Sequence, residues 1–176
     1  MTKPTDTTYD LVVFGATSFV GQILTQYLFD SYGVAGEVKW AIAGRSESKL
    51  SELKSGLGSN AGELPVILAD ATDDRALKAM CEQTRVVIST VGPYALYGEP
   101  LVKACVETGT DYCDLTGEVQ WIRRMVDRYE DQAKKSGARI VHCCGFDSIP
   151  SDMGVWFLQQ QAEKTFGEPC LDVRMR

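Results

Sequence analysis

The residues able to do chemistry fall in short runs, and the first is Gly15-Ala16-Thr17-Ser18-Phe19-Val20-Gly21. A glycine opening such a run permits a tight turn, small residues in its middle let backbone approach a phosphate, and a closing glycine lets a helix pack on a strand. The first N–H groups of that helix then offer a partial positive charge to a pyrophosphate. Where the usual pattern has a central glycine this chain has Ser18, whose hydroxyl is expected to donate to a phosphate oxygen. No G-x-x-x-x-G-K-[ST] loop occurs, so ATP and GTP give way to a dinucleotide.

The second run is Ala43-Gly44-Arg45-Ser46, with Lys49 one helical turn further on. Folds selecting NAD place a carboxylate here against the ribose 2′-hydroxyl, whereas a guanidinium suits the 2′-phosphate of NADP. Arg45, Ser46 and Lys49 therefore point to NADP, with NAD the weaker fit. The competing reading makes Arg45 and Lys49 solvated charges at a helix start. Asp70-Ala71 lies where an adenine ring would sit, so that Asp70 either accepts from the adenine amino group or caps the next helix. Val91-Gly92-Pro93 is expected to line the far end of the pyrophosphate and the nicotinamide ribose.

Other chemistries fit less well. The six cysteines are irregularly spaced, no C-x-x-C pair exists and His142 is the single histidine, which argues against a disulfide framework and against a metal site. The vicinal Cys143-Cys144 and His142 read as residues of a packed strand. Acidic residues outnumber basic ones, 24 to 18, for a net charge of −6, and no basic cluster is present to bind nucleic acid. The apolar runs are too short to span a membrane. A cytoplasmic location is expected.

The elements that must position these runs follow from periodicity. Apolar runs alternate with segments of helical period, the mark of a parallel sheet covered on both faces. Strands are expected over 10–14, 39–43, 65–69, 86–90, 111–114 and 139–143, and helices over 19–31, 46–57, 73–82, 99–108, 119–136 and about 150–166. The first helix should bury Val20, Ile23, Leu24, Tyr27 and Leu28. The fold class is α/β, a doubly wound, mostly parallel six-stranded Rossmann sheet of order 3-2-1-4-5-6. Residues 1–8 read as a loose arm and 9–166 as the dinucleotide-binding domain. Residues 167–176 read as a linker and the first strand of a second domain that the chain does not contain.

Longer motifs add to this: V-G-P-Y-A-L-Y-G-E-P-L-V-K-A-C at Val91 to Cys105, G-T-D-Y-C-D-L-T-G-E at Gly109 to Glu118, and G-F-D-S-I-P-S-D-M-G at Gly145 to Gly154. With the glycine loop and A-G-R-S they make the chain, from about Tyr9 to Phe157, similar to the saccharopine dehydrogenase-like oxidoreductases, trans-acting enoyl reductases among them. The resemblance implies an NAD(P)-binding domain followed by a second α/β domain of comparable or greater size. It implies hydride transfer to or from a small or lipid-like substrate held largely by that second domain. It also implies that Gly15 to Gly21 hold the pyrophosphate, that Arg45 meets the 2′-phosphate and that Gly92-Pro93-Tyr94 lie beside the nicotinamide. Saccharopine itself is not supported, since its binding residues belong mainly to the absent domain.

Tyr94 and Asp147 are the candidates for substrate orientation or proton delivery; Asp147 equally well holds a turn. A short-chain dehydrogenase is excluded because none of the seven tyrosines has lysine four residues later. A non-catalytic NAD(P)-sensing module remains the alternative. The chain alone is expected to bind cofactor without turnover, and its last segment to pair with the second domain or with another copy, as a homodimer.

Overall fold

The computed structural model describes residues 7–34 and 36–174. Six strands, β1 (Tyr9–Phe14), β2 (Trp40–Gly44), β3 (Val66–Leu68), β4 (Thr84–Ser89), β5 (Asp111–Asp114) and β6 (Ile140–Val141), lie in the order β3-β2-β1-β4-β5-β6. Every neighbouring pair is parallel, which is the expected Rossmann arrangement. The order reverses between β1 and β4, so the connections leaving their carboxyl ends diverge to opposite faces and open a crevice there. Phe14 is level with Ala43 on one side and Ser89 on the other, which brings Gly15, Gly44 and Thr90 to one rim.

Successive residues of a strand face opposite ways, and here the two faces are covered unequally. Val12, Phe14, Val87 and Tyr112 pack under α3 (Asp74–Cys81), α5 (Glu99–Thr108) and α6 (Val119–Ser136), through Leu77, Met80, Leu101 and Met125. Val13 and Ile42 face the other way and pack under α1 (Phe19–Tyr32) and α2 (Glu47–Leu57), through Leu28 and Leu50. The second core stops there: Ile88 and Cys113 are only half-buried, and Val141 is exposed.

Several expectations change accordingly. Of the five residues assigned to the buried face of α1, Leu28 alone is buried, while Ile23 and Tyr27 are 56% and 58% exposed. Periodicity finds an apolar face but cannot show that nothing lies over it. A four-residue helix, α4 (Tyr94–Tyr97), stands where only a break was expected. β6 is two residues long rather than five, because Asp114 takes the next amides: Cys143 N–H donates to its Oδ1 at 3.1 Å and Cys144 N–H to its backbone oxygen at 2.7 Å.

The last helix, α7 (Ile149–Phe166), buries only Ala162. The strand expected over 171–176 is absent over 171–174, which are irregular with Leu171 fully exposed; alternation without a neighbouring edge makes no ladder. Residues 175–176, and 1–6 of the expected arm, lie outside the described residues. No described helix is long and apolar enough to cross a membrane.

Candidate functional site

The loop after β1 is built around two glycines that admit no side chain. Gly15 has φ +84°, and a Cβ there would stand 2.6 Å from Val91 Cγ2. A Cβ on Gly21 would stand 2.3 Å from the Gly15 oxygen. Helix α1 thus begins in contact with the loop. Ser18 is its N-cap: its Oγ accepts from Gly21 N–H at 3.0 Å and donates its one proton to Thr90 Oγ1 at 2.9 Å. Thr90 in turn donates to the Gly15 oxygen at 2.9 Å. The Ser18 hydroxyl thus ties the loop to the end of β4. The amides of Phe19 and Val20, in the first turn of the helix, have no intrahelical acceptor.

A cleft of about 290 Å³ opens over this loop, lined by Gly15, Thr17 and Ser18, by Gly44 and Arg45, by Asp70, Ala71 and Thr72, and by Val91, Gly92 and Tyr97. Asp70 does not cap α3, because Asp73 does so, accepting from the amides of Arg75 and Ala76 at 3.0 Å each. Asp70 closes its own turn instead, accepting from Thr72 Oγ1 at 2.7 Å and Thr72 N–H at 2.9 Å. Those two bonds, helped by the nearby Arg45 charge, hold its carboxyl below the usual range. A guanidinium and a carboxylate therefore sit together in this cleft.

The far rim is held by a residue from another loop. Glu118 accepts from Tyr94 N–H at 2.7 Å and from Ala95 N–H at 2.8 Å, capping α4 as a carboxylate caps a helix. That fixes the turn after the cis Gly92-Pro93 bond and sets Tyr97 at the cleft. Tyr94 points inward: it is buried, its hydroxyl donates to the Ser89 oxygen at 2.9 Å, and burial pushes its phenol above the usual range. The geometry makes it a support of the rim, turned away from the cleft.

Beyond Thr90, which lines both, the cleft continues into an apolar trough of about 510 Å³ bounded by Val20, Ile88, Leu115, Phe146 and Asp147. Its thiols are poor nucleophiles: burial pushes Cys113 up to about 12 and raises Cys144. Below its floor, the buried Asp114 accepts from Tyr112 Oη at 2.9 Å and lies 2.6 Å from His142 Nδ1, which fixes His142 as a packed residue. Among the described residues no group of three His, Cys, Asp or Glu is placed to hold a metal ion.

Residues 11–141 match the family model of the saccharopine dehydrogenase NADP binding domain. The chain belongs to this family. Over 169 residues it is 46% identical to the trans-acting enoyl reductase of Mycobacterium tuberculosis H37Rv, covering 96% of this chain and 40% of that protein. Against the Mycobacterium leprae trans-acting enoyl reductase the figures are 45%, 96% and 40%. The solved apo saccharopine dehydrogenase (L-Glu forming) from Saccharomyces cerevisiae aligns with a TM-score of 0.69 at 20% identity, covering 89% of this chain and 32% of that one, a likeness of fold. The chain thus spans about two fifths of the length of the curated relatives it matches.

In this NADP-binding domain the expected site residues separate into groups. Gly15, Thr17, Ser18, Arg45, Asp70, Ala71, Val91 and Gly92 line one cleft. Ala16 is fully buried and Gly21 supports the loop by packing. Phe19 is exposed and Val20 lines the trough. Ser46 caps α2, accepting from the Lys49 amide at 3.4 Å, and Lys49 lines a neighbouring hollow with Thr17 and Gln22. Pro93 begins α4 as its N-cap. Thr90 and Thr72 line the same cleft and had no motif of their own, while Tyr97 belongs to the run that starts at Val91; Thr90 was recognisable only as the polar residue ending an apolar strand beside V-G-P.

Proposed function

We propose that this chain is the cofactor half of an NADP-dependent, cytoplasmic oxidoreductase of the enoyl reductase type, and that the substrate is held mainly by a second domain. The single observation that carries this reading is the cleft at the reversal of strand order, which the glycine-bounded loop after β1 and Arg45 line together. The backbone around Gly15 to Gly21 fits a pyrophosphate, and Arg45 fits a ribose 2′-phosphate as a planar fork. Asp70 faces the adenine amino group, and the rest of the dinucleotide runs past Thr90 into the trough. When bound, NADPH supplies the hydride. The protein's part is to hold and orient: Glu118 fixes the rim through α4, Val20 and Leu115 give the trough its apolar lining, and the exposed Asp147 stands among that lining as a polar group open to an incoming substrate. Tyr94, already donating to Ser89, takes no part in proton delivery.

Fluorescence titration with NADPH and NADH tests this. NADPH is expected to bind about 10- to 100-fold more tightly, the effect of one charge-assisted contact of about 1.5–3 kcal/mol, and Arg45→Ala to abolish the difference. Equal affinities in the unaltered chain would refute the role of Arg45.

A further inference from the structure

The second face of the sheet and helix α7 are unfinished in the same place. At 3.6 residues per turn, Ile149, Met153, Trp156 and Phe157 fall on one side of α7, and Val155, Leu158, Ala162 and Phe166 on the other. Only Ala162 is buried; Trp156 is 58% exposed and Phe166 76%. A helix apolar on two sides is the kind found inside a protein. Most of a helix's stability in proteins comes from packing an apolar face, and α7 packs only Ala162. Close by, Phe146 at the trough is 86% exposed, and the α1 residues Phe19, Ile23 and Tyr27 are exposed as well. Scattered apolar residues on a surface are ordinary, but large ones gathered on both sides of α7, at the trough and on α1 point to a contact.

We infer that α7 is an interdomain helix, and that its apolar faces, with the open flank of β4, β5 and α1, are covered by the polypeptide that the longer relatives carry beyond the span matched here. The occupant follows from length. The mycobacterial relatives share 46% of residues over 96% of this chain, yet that match accounts for only 40% of them. Their larger remaining part is covalently tied to this same surface, and its effective concentration there exceeds that of any separate molecule. The inference rests on the reading of the chain as one half of a longer enzyme. It adds where the halves meet: along α7 and the trough, so that the second domain closes the end of the cleft where Asp147 stands.

Hydrogen exchange read by mass spectrometry tests it on two proteins, this chain and the full-length M. tuberculosis relative, with light scattering to give the mass of each. Amides of Ile149–Phe166 are expected to exchange freely in this chain as a monomer, and at least about 100-fold more slowly in the equivalent helix of the long relative, as cooperative packing requires. Acrylamide quenching of Trp156 in this chain, against the buried Trp40 and Trp121, gives a second reading of the same exposure. Slow exchange or a shielded Trp156 in the monomeric chain would overturn the inference, since the helix would need no cover. Fast exchange in the long relative would overturn it too. Protection that appears only as this chain dimerises would assign the surface to a second copy instead. NADPH titration of the same samples separates the two readings: protection without cofactor binding leaves the interdomain helix standing and removes the cofactor assignment.

Discussion

The loop after β1 and the loop after β6 leave the same edge of the sheet and are built in opposite ways. The first is closed by its own chain: Ser18, Thr90 and the Gly15 oxygen form a chain of hydrogen bonds, and Gly21 packs so tightly on Gly15 that no Cβ fits. The second passes through Cys143 at φ +62° into an exposed Phe146 and a helix with one buried residue. Both are well-formed backbone, so the difference lies in what surrounds them. A pyrophosphate site can be prebuilt from backbone amides on a finished part of the sheet. A substrate site at the other end of the crevice needs walls that this flank of the sheet does not supply.

The largest expected effect comes from one substitution made in both regions. Gly21→Ala puts a Cβ 2.3 Å from a backbone oxygen, and is expected to cost about 3 kcal/mol or more as a backbone clash in a packed site, with loss of NADPH binding. Gly154→Ala, in α7, meets no atom within 4 Å and replaces a poor helix former, so it is expected to stabilise by about 0.5–1 kcal/mol. Urea unfolding measures both, and a loss at Gly154 comparable to that at Gly21 would show α7 to be packed already.

Next in size is the rim. Glu118→Ala removes the acceptor of two amides at the start of α4, a capping loss of about 1–2 kcal/mol. NADPH affinity is expected to fall several-fold through Tyr97, while Glu118→Gln, which keeps one acceptor oxygen, recovers part of it. An unchanged dissociation constant in Glu118→Ala would mean that the rim holds its place without the cap.

These residues also show what a single sequence discloses. The six sheet positions and the span of α6 (Val119–Ser136) were legible because they depend on local pattern, apolar runs, helical period and a glycine stop at Gly137, and the strand order followed from the Rossmann class those elements imply. The loop Gly15 to Gly21 was legible because its glycines are required by local backbone geometry. Helix α4 was not, since the carboxylate that starts it stands 24 residues further along the chain. Thr90 was not, since its role comes from its meeting with Ser18 across 72 residues. The exposure of α1 was hidden for another reason: helical period gives the apolar face of a helix without showing whether anything lies over it.

The smallest expected effect lies on the finished face, where α5 and α6 meet. Glu99 accepts from Tyr129 Oη at 2.9 Å and pairs with Arg128. Burial alone would raise its carboxyl, but the bonds from Tyr129 and Arg128 outweigh it and hold the group below the usual carboxylate range. A carboxyl whose folded pKa is depressed contributes stability above its unfolded pKa of about 4.3, and that contribution is lost as pH falls through the lower, folded value. Thermal unfolding from pH 6 downward should therefore show Glu99→Gln losing less stability with acid than the unaltered chain. The effect is modest, because the Glu99 side chain is 38% exposed and solvent screens the pair. An identical acid slope in both proteins would place the acid sensitivity of this face elsewhere, with Asp111, buried and paired to the exposed Arg139, as the next group to replace.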